Sequence, residues 1–185
     1  MSKLKYNKNS LPNMMLYHMS YLHNLESILT DGKLKPSSKT EITEQSPGRT
    51  LPYVFFNAIP EDKIKNFVGF SKRAVGFVFD QNIILDKRFY TSTYHSMGNT
   101  KTSVRHKIQN NKDLNKVLYQ LYKQSFETVK KIKSEFWVLS VFQEVFTRVE
   151  PHISKAKYII LPKKDEILIN TINNAYPNVT VLYPK

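Results

Sequence analysis

The stretch from Leu16 to Leu34, Leu-Tyr-His-Met-Ser-Tyr-Leu-His-Asn-Leu-Glu-Ser-Ile-Leu-Thr-Asp-Gly-Lys-Leu, constrains the fold more than any other part of this chain. A strand-like apolar run over residues 13–19 ends near His18, and a hydroxyl follows at Ser20. A short helix is predicted from Leu25 to Asp31, with Asn24 as N-cap and Gly32 as its stop. Leu25, Ile28 and Leu29 fall on its buried face. Residues two apart on a strand share a face, so His18 and Ser20 project together. An imidazole and a hydroxyl beside a helix N-terminus suit a phosphate-bearing ligand, because unpaired N–H groups and the helix dipole face it.

The rest of the chain alternates short strands with helices. Residues 1–12 read as a flexible basic arm, and residues 35–50, with the turn signal Pro47-Gly48, as a surface loop ending at Arg49. A strand is expected at Tyr53-Val54-Phe55-Phe56, then a short helix from Glu61 to Val68 with Pro60 at its first position. Two strands follow, Ala74 to Phe79 and Ile83 to Leu85, and residues 87–111 read as a long irregular stretch. Helical spacing returns from Leu114 to Ile132, strand patterning over about 136–149, and a strand at Lys157 to Leu161. A helix from Lys164 to Asn174 leads to a last strand, Val179 to Leu182. That order is α+β, one domain over residues 13–185.

Composition narrows the classes. With no Cys, disulfides, thiolate catalysis and Cys-based zinc sites are excluded. The 28 basic against 15 acidic residues, a net charge of +13, predict attraction to polyanions, nucleic acid first. No apolar run approaches the ~20 residues of a spanning helix, and residues 1–12 are polar and basic, so a soluble, cytoplasmic protein is expected. Gly-x-Gly-x-x-Gly, His-Glu-x-x-His and Gly-x-Ser-x-Gly patterns are absent, and the five His are too dispersed to nominate a metal site.

Three groups of residues could carry chemistry. Arg49, beside Gly48, could grip a diphosphate through paired hydrogen bonds. Glu144 lies in Val141-Phe142-Gln143-Glu144-Val145-Phe146, where a carboxylate is costly without a partner or a task. It could face solvent from an edge strand, or hold a ribose hydroxyl and stabilise the positive charge of a breaking glycosidic bond. Around the stretch His95 to Thr102, Tyr90, Tyr94, His95, Asn99, Lys101, Arg105 and Lys107 mix rings with cations, as single-stranded nucleic acid binding requires.

Taken together these segments resemble the DarT-type DNA ADP-ribosyltransferases. That family opens with a strand carrying His-x-Thr and an Asn-Leu-x-Ser-Ile-Leu-x-x-Gly helix, matched here by His18-Met19-Ser20 and Asn24-Leu25-Glu26-Ser27-Ile28-Leu29-Thr30-Asp31-Gly32. Arg49 before Tyr53-Val54-Phe55-Phe56, and Gln143-Glu144-Val145-Phe146 followed by Pro151, match its later motifs. Ser20 stands where the family has Thr, and Gln143 adjoins the Glu instead of lying two residues before it. The resemblance implies an ADP-ribosyltransferase fold, a central split mixed β-sheet with flanking helices, with NAD as donor and no metal. It implies that Glu144 and Arg49 are catalytic, and that His18, Met19, Ser20, Ser27 and Arg49 line the NAD pocket. The acceptor would be a base in single-stranded DNA, and a macrodomain antitoxin would accompany the protein, itself a monomer acting in the cytoplasm, or in the host's if viral. Transfer to RNA or protein, and a non-enzymatic basic nucleic-acid binder, are the alternatives.

Overall fold

In the computed structural model, residues 11–39, 51–68, 72–93, 100–129 and 144–185 are described. Their centre is β1 (Met14–Tyr21), whose Met14, Met15, Leu16 and Tyr17 are all buried, so this strand is covered on both faces. A continuous apolar run is what such a strand requires. It pairs antiparallel with β2 (Val54–Pro60) on one side and β3 (Ala74–Asp80) on the other. Outward from β3 come β7 (Ala156–Ile160) and, parallel to it, β8 (Thr180–Leu182). Outward from β2 come β6 (Glu144–Thr147), β4 (Arg88–Ser92) and β5 (Val104–Lys107), all antiparallel. The order is β5-β4-β6-β2-β1-β3-β7-β8, a mixed eight-stranded sheet.

The sheet is split at its middle. Paired residues of β1 and β2 run from Met14↔Pro60 to Tyr17↔Asn57. Beyond that rung β1 continues against β3 alone, through Tyr21↔Ala74, while β2 turns its Val54–Phe56 segment to β6.

The three described α-helices lie on one face: α1 (Leu25–Asp31), α2 (Asn111–Val129) and α3 (Glu166–Ala175). Their Leu25, Leu114, Leu118, Leu121 and Ile172 join Leu16, Phe56, Phe77, Phe79, Phe89 and Val145 in the main core. Each fully buried Phe contributes roughly 1.5–3 kcal/mol relative to exposure. A smaller core on the opposite face packs Met15, Tyr17, Ile59, Val78 and Ile160 against Ile64 and Phe67. Asp165 caps α3 by accepting from the Leu168 N–H at 3.1 Å. No described helix is long and apolar enough to cross a membrane.

The α+β class and the split mixed sheet agree with expectation, and several local elements differ. Pro60 ends β2, and the following Glu61–Phe67 is a 3-10 helix. Ile83 to Leu85 is not a strand: Gln81–Ile84 forms a 3-10 turn, initiated where Asp80 accepts from the Asn82 N–H at 2.9 Å. The stretch 87–111 is not irregular, since it supplies β4 and β5. Asn24 does not cap α1 through its side chain, whereas Gly32 does end that helix in the left-handed conformation, φ 67°. Of the strand predicted over about 136–149, the part from Glu144 is β6, whereas residues 136–143, the arm over 1–10 and the loop over 40–50 lie outside the described residues.

Candidate active site

His18 sits where β1 and β2 separate. Its Nδ1 lies 2.8 Å from the main-chain carbonyl oxygen of Phe55. A carbonyl only accepts, so Nδ1 carries the proton, and in the neutral ring Nε2 presents a lone pair. The imidazole packs against Phe56 and Phe77, at centroid distances of 5.9 and 6.4 Å. Burial holds it below the ordinary histidine value, and its hydrogen bond to Phe55 offsets this only in part.

Ser20, half-buried two residues on, accepts from Asn24 Nδ2 at 3.3 Å. The Asn24 amide is thereby drawn to β1 instead of capping α1, and its Oδ1 is buried with no hydrogen-bond partner among the described residues. A buried acceptor of that kind is costly unless something donates to it. His18, Ser20 and Asn24 thus gather acceptor and hydroxyl groups at one end of β1. Such a set fits the hydroxyls and amide of a dinucleotide. Met19, between His18 and Ser20, is 41% exposed, and Ser27 lies on the exposed side of α1.

Glu144 is the first residue of β6 and is 5% exposed. Its strand lies between β2 and β4, inside the sheet, so the edge-strand reading is overturned. Phe56 pairs with Val145, next to Glu144, while His18 reaches Phe55 from the other side. The two residues thus lie on the strands either side of β2, His18 packed against Phe56 and Phe77 of the main core and Glu144 on the face of β6 that Phe146 shares. Glu150, after β6, receives Lys33 Nζ at 2.9 Å and Lys39 Nζ at 2.5 Å. Those ion pairs tie the segment after α1 to the strand that carries Glu144, and both lysines hold the Glu150 carboxyl below its ordinary value.

Arg49, Tyr94, His95 and Asn99 lie outside the described residues. Of the others expected to meet nucleic acid, Lys101 is on a surface 3-10 turn, while Tyr90 is on β4 and Arg105 and Lys107 on β5. Tyr90 pairs directly with Arg105. Its ring stacks on Phe146, centroids 5.1 Å apart and 12° from parallel. Tyr53 and Phe55 join this cluster edge-on or tilted, and the Arg148 guanidinium lies 5.8 Å from the Tyr53 ring centroid. These neighbours were missed in the sequence, although the alternation of Arg88 and Tyr90 with Phe89 and Thr91 was there to signal a strand. On the other side of β4, a groove of about 520 Å³ runs between β4, β5 and α2, lined by Thr91, Thr93, His106, Lys116 and Gln120. Among the described residues no cluster of His, Asp or Glu is arranged to hold a metal ion.

No protein-family model and no curated protein sequence matches the chain. Solved structures do. Thermus sp. 2.9 DarT in complex with carba-NAD+ superposes with a TM-score of 0.58 at 16% identity, over 97% of this chain and 98% of that one. The same protein in complex with NAD+ gives 0.57 at 14% identity, over 98% of each chain. In complex with ADP-ribosylated ssDNA it gives 0.53 at 14% identity, over 92% of this chain and 94% of that one. The fold is thus that of Thermus DarT, shared along nearly the whole chain.

Proposed function

We propose that this protein is an NAD-dependent ADP-ribosyltransferase that transfers ADP-ribose to a base of single-stranded DNA and releases nicotinamide. The observation that carries the reading is a sheet split between β1 and β2 and built like that of Thermus DarT, with His18 at the split and Glu144 buried at the start of β6. That the Thermus protein has structures with NAD+ and with ADP-ribosylated ssDNA supports the choice of donor and acceptor.

The residues would divide the work as follows. His18 Nε2 and the Ser20 hydroxyl hold ribose hydroxyls, and the Asn24 Oδ1 accepts from a donor group of the dinucleotide. Met19 and Ser27 complete the pocket wall, and Arg49 grips the diphosphate. The bond from the ribose C1′ to nicotinamide breaks with its electron pair leaving on nicotinamide. Glu144 stabilises the positive charge left on the ribose ring, a term usually large in such reactions. A ring nitrogen of the acceptor base then bonds to C1′ and loses its proton, with Arg49 assisting its removal. Tyr90, Tyr94, His95, Asn99, Lys101, Arg105 and Lys107 belong to the acceptor side. A DNA modifier of this kind calls for an opposing hydrolase in the cell that makes it, which fits a macrodomain antitoxin as partner.

The test is mass spectrometry after incubation with NAD and, separately, single-stranded DNA, RNA of the same sequence, or protein. The expected result is a gain of one ADP-ribose unit on DNA. Intact NAD in all three reactions, or a gain only on RNA or protein, overturns the reading.

A further inference from the structure

We propose that Glu150 is a positioning residue: its carboxylate fastens the turn Ser37–Lys39, from which the chain runs on to Arg49, to the strand that carries Glu144. The proposal deepens the transferase reading and rests on it for what the two fastened parts do.

Main-chain pairing holds only the near part of the segment after α1. Past β6 the chain reaches Glu150, and Pro151 to Ile153 then run beside Gly32 to Leu34. The Leu34 N–H donates to the Pro151 carbonyl at 3.0 Å, the Ile153 N–H to the Gly32 carbonyl at 2.8 Å, and Lys33 forms an antiparallel bridge with His152. Among the described residues this pairing stops at Leu34, and no main-chain bond joins Ser37–Lys39 to the segment after β6.

Glu150 spans that gap. Its Oε2 takes Lys33 Nζ at 2.9 Å inside the paired part, and its Oε1 takes Lys39 Nζ at 2.5 Å beyond it. Each carboxylate oxygen is thus committed to a different cation, and Lys39 first, then Lys33, hold the carboxyl below its ordinary value. The turn is closed where the Lys39 N–H donates to the Pro36 carbonyl at 2.8 Å, and the Ser38 N–H donates to the Leu51 carbonyl at 3.2 Å. Leu51 comes two residues after Arg49. Lys39 and Leu51 therefore bracket the stretch that contains Arg49, and the tie to Glu150 refers both of its ends to β6.

Stability does not account for this arrangement. The Lys39 side chain is 62% exposed, and an exposed pair adds little to folding, because water screens the charges and ordering a lysine costs entropy. Long-range attraction does not account for it either. On a chain of net charge +13, a carboxylate weakens the field that draws an anionic dinucleotide. What the tie supplies is placement, and a misplacement of about 1 Å can cost on the order of 10² in rate. His18, Ser20 and Asn24 hold NAD from β1 and the start of α1, so affinity does not pass through Glu150.

The test is steady-state kinetics of nicotinamide release by the full chain, read together with amide hydrogen exchange. Glu150→Gln is expected to lower kcat about tenfold while KM for NAD moves less than about threefold. Lys39→Gln should act in the same direction, and Lys39→Arg, which keeps the cation, should stay close to the parent. The Glu150→Gln/Lys39→Gln double variant should be no slower than the slower single one, since both break one interaction. A field effect predicts opposite signs for the two single variants. Lys164→Gln, which breaks the exposed pair with Glu166 at 2.5 Å, is the control expected to keep the parental rate. In Glu150→Gln the Ser38 N–H should exchange faster, while those of Leu34 and Ile153 keep their rates.

Parental kcat in Glu150→Gln, opposite effects of the two single variants, or additive losses in the double variant overturns the proposal. So does a melting temperature that falls in step with kcat, which would make Glu150 a structural residue only. Lys39→Gln, at an exposed position, keeps the test valid should Glu150→Gln not fold. If the parent itself leaves NAD intact, the transferase reading falls and exchange at Ser38 alone decides the tie: faster in Glu150→Gln it stands, unchanged it falls as well.

Discussion

His18 and Phe55 are joined by a 2.8 Å hydrogen bond from imidazole Nδ1 to a main-chain carbonyl, just past the last rung of the β1–β2 ladder. The side chain supplies a partner that the separating backbone no longer provides. It satisfies the Phe55 carbonyl and fixes the ring tautomer, leaving Nε2 as the acceptor. On the proposed function, stability and NAD binding are coupled in one ring. His18→Ala is expected to lose about 1–3 kcal/mol of stability through the unsatisfied carbonyl. The dissociation constant for NAD should rise on the order of tenfold for the lost acceptor. Denaturant melts and calorimetric titration with NAD measure the two effects, and unchanged NAD affinity in a folded variant would remove His18 from the pocket.

The same ring makes stability depend on pH. Burial lowers the folded-state pKa of His18 below 6.5, and that of His106 likewise. The unfolded chain then binds more protons as pH falls, so the stability these rings contribute is complete above pH 6.5 and is lost below it, toward their folded values. The paired carboxylates Glu61 and Glu150 are lowered from 4.5 and add their loss at more acidic pH. Melting temperature should therefore decline already between roughly pH 6.5 and 5. That early decline should shrink in a His18→Gln/His106→Gln double variant while the acid limb persists. An unaltered early decline would assign it to other groups.

Glu144 tests the chemistry separately from the fold. Glu144→Gln keeps the size of the side chain and removes the negative charge. Losing one preorganised electrostatic group costs about 10²–10³ in turnover. Nicotinamide release is expected to fall by that factor, with NAD affinity changed far less. Turnover within a few fold of the parent would mean that the carboxylate does not face the breaking bond.

How far the site could be read in the sequence depended on its local signals. The β1–α1 unit was legible because a buried apolar run, a Gly in the left-handed conformation and helical spacing act within a few residues of one another. The role of Asn24 was misread because a cap and a tertiary contact use the same amide, and the contact with Ser20 prevailed. β4 and β5 were hidden because one face of each is polar or charged, so that Arg88, Ser92, Arg105 and Lys107 resemble a loop. Only pairing across the sheet reveals that Tyr90, Phe146 and Phe55 form a line, since the three come from distant parts of the chain. Glu144 stood out as a charge among apolar residues, but its burial between β2 and β4 is a property of the assembled sheet.

Gly76 offers a test of how the split sheet is held. It lies opposite Met19 on β3, and a Cβ there would come within 2.6 Å of the Tyr17 ring. Tyr17 is buried, packs on Phe67 at 5.0 Å, and has its hydroxyl pKa pushed up to about 12 by burial. Gly76→Ala must therefore displace the buried ring or spread β1 from β3. Such overpacking typically costs 1–3 kcal/mol, and a loss of about that size is expected in denaturant melts. Tyr17→Leu removes the atoms that clash, so the double variant should be more stable than the sum of the two single losses. Because β1 carries His18 and Ser20 one and three residues farther on, Gly76→Ala should also weaken NAD binding while Glu144 stays intact. Simple additivity in the double variant would show that Gly76 is retained for some reason other than the approach of Tyr17.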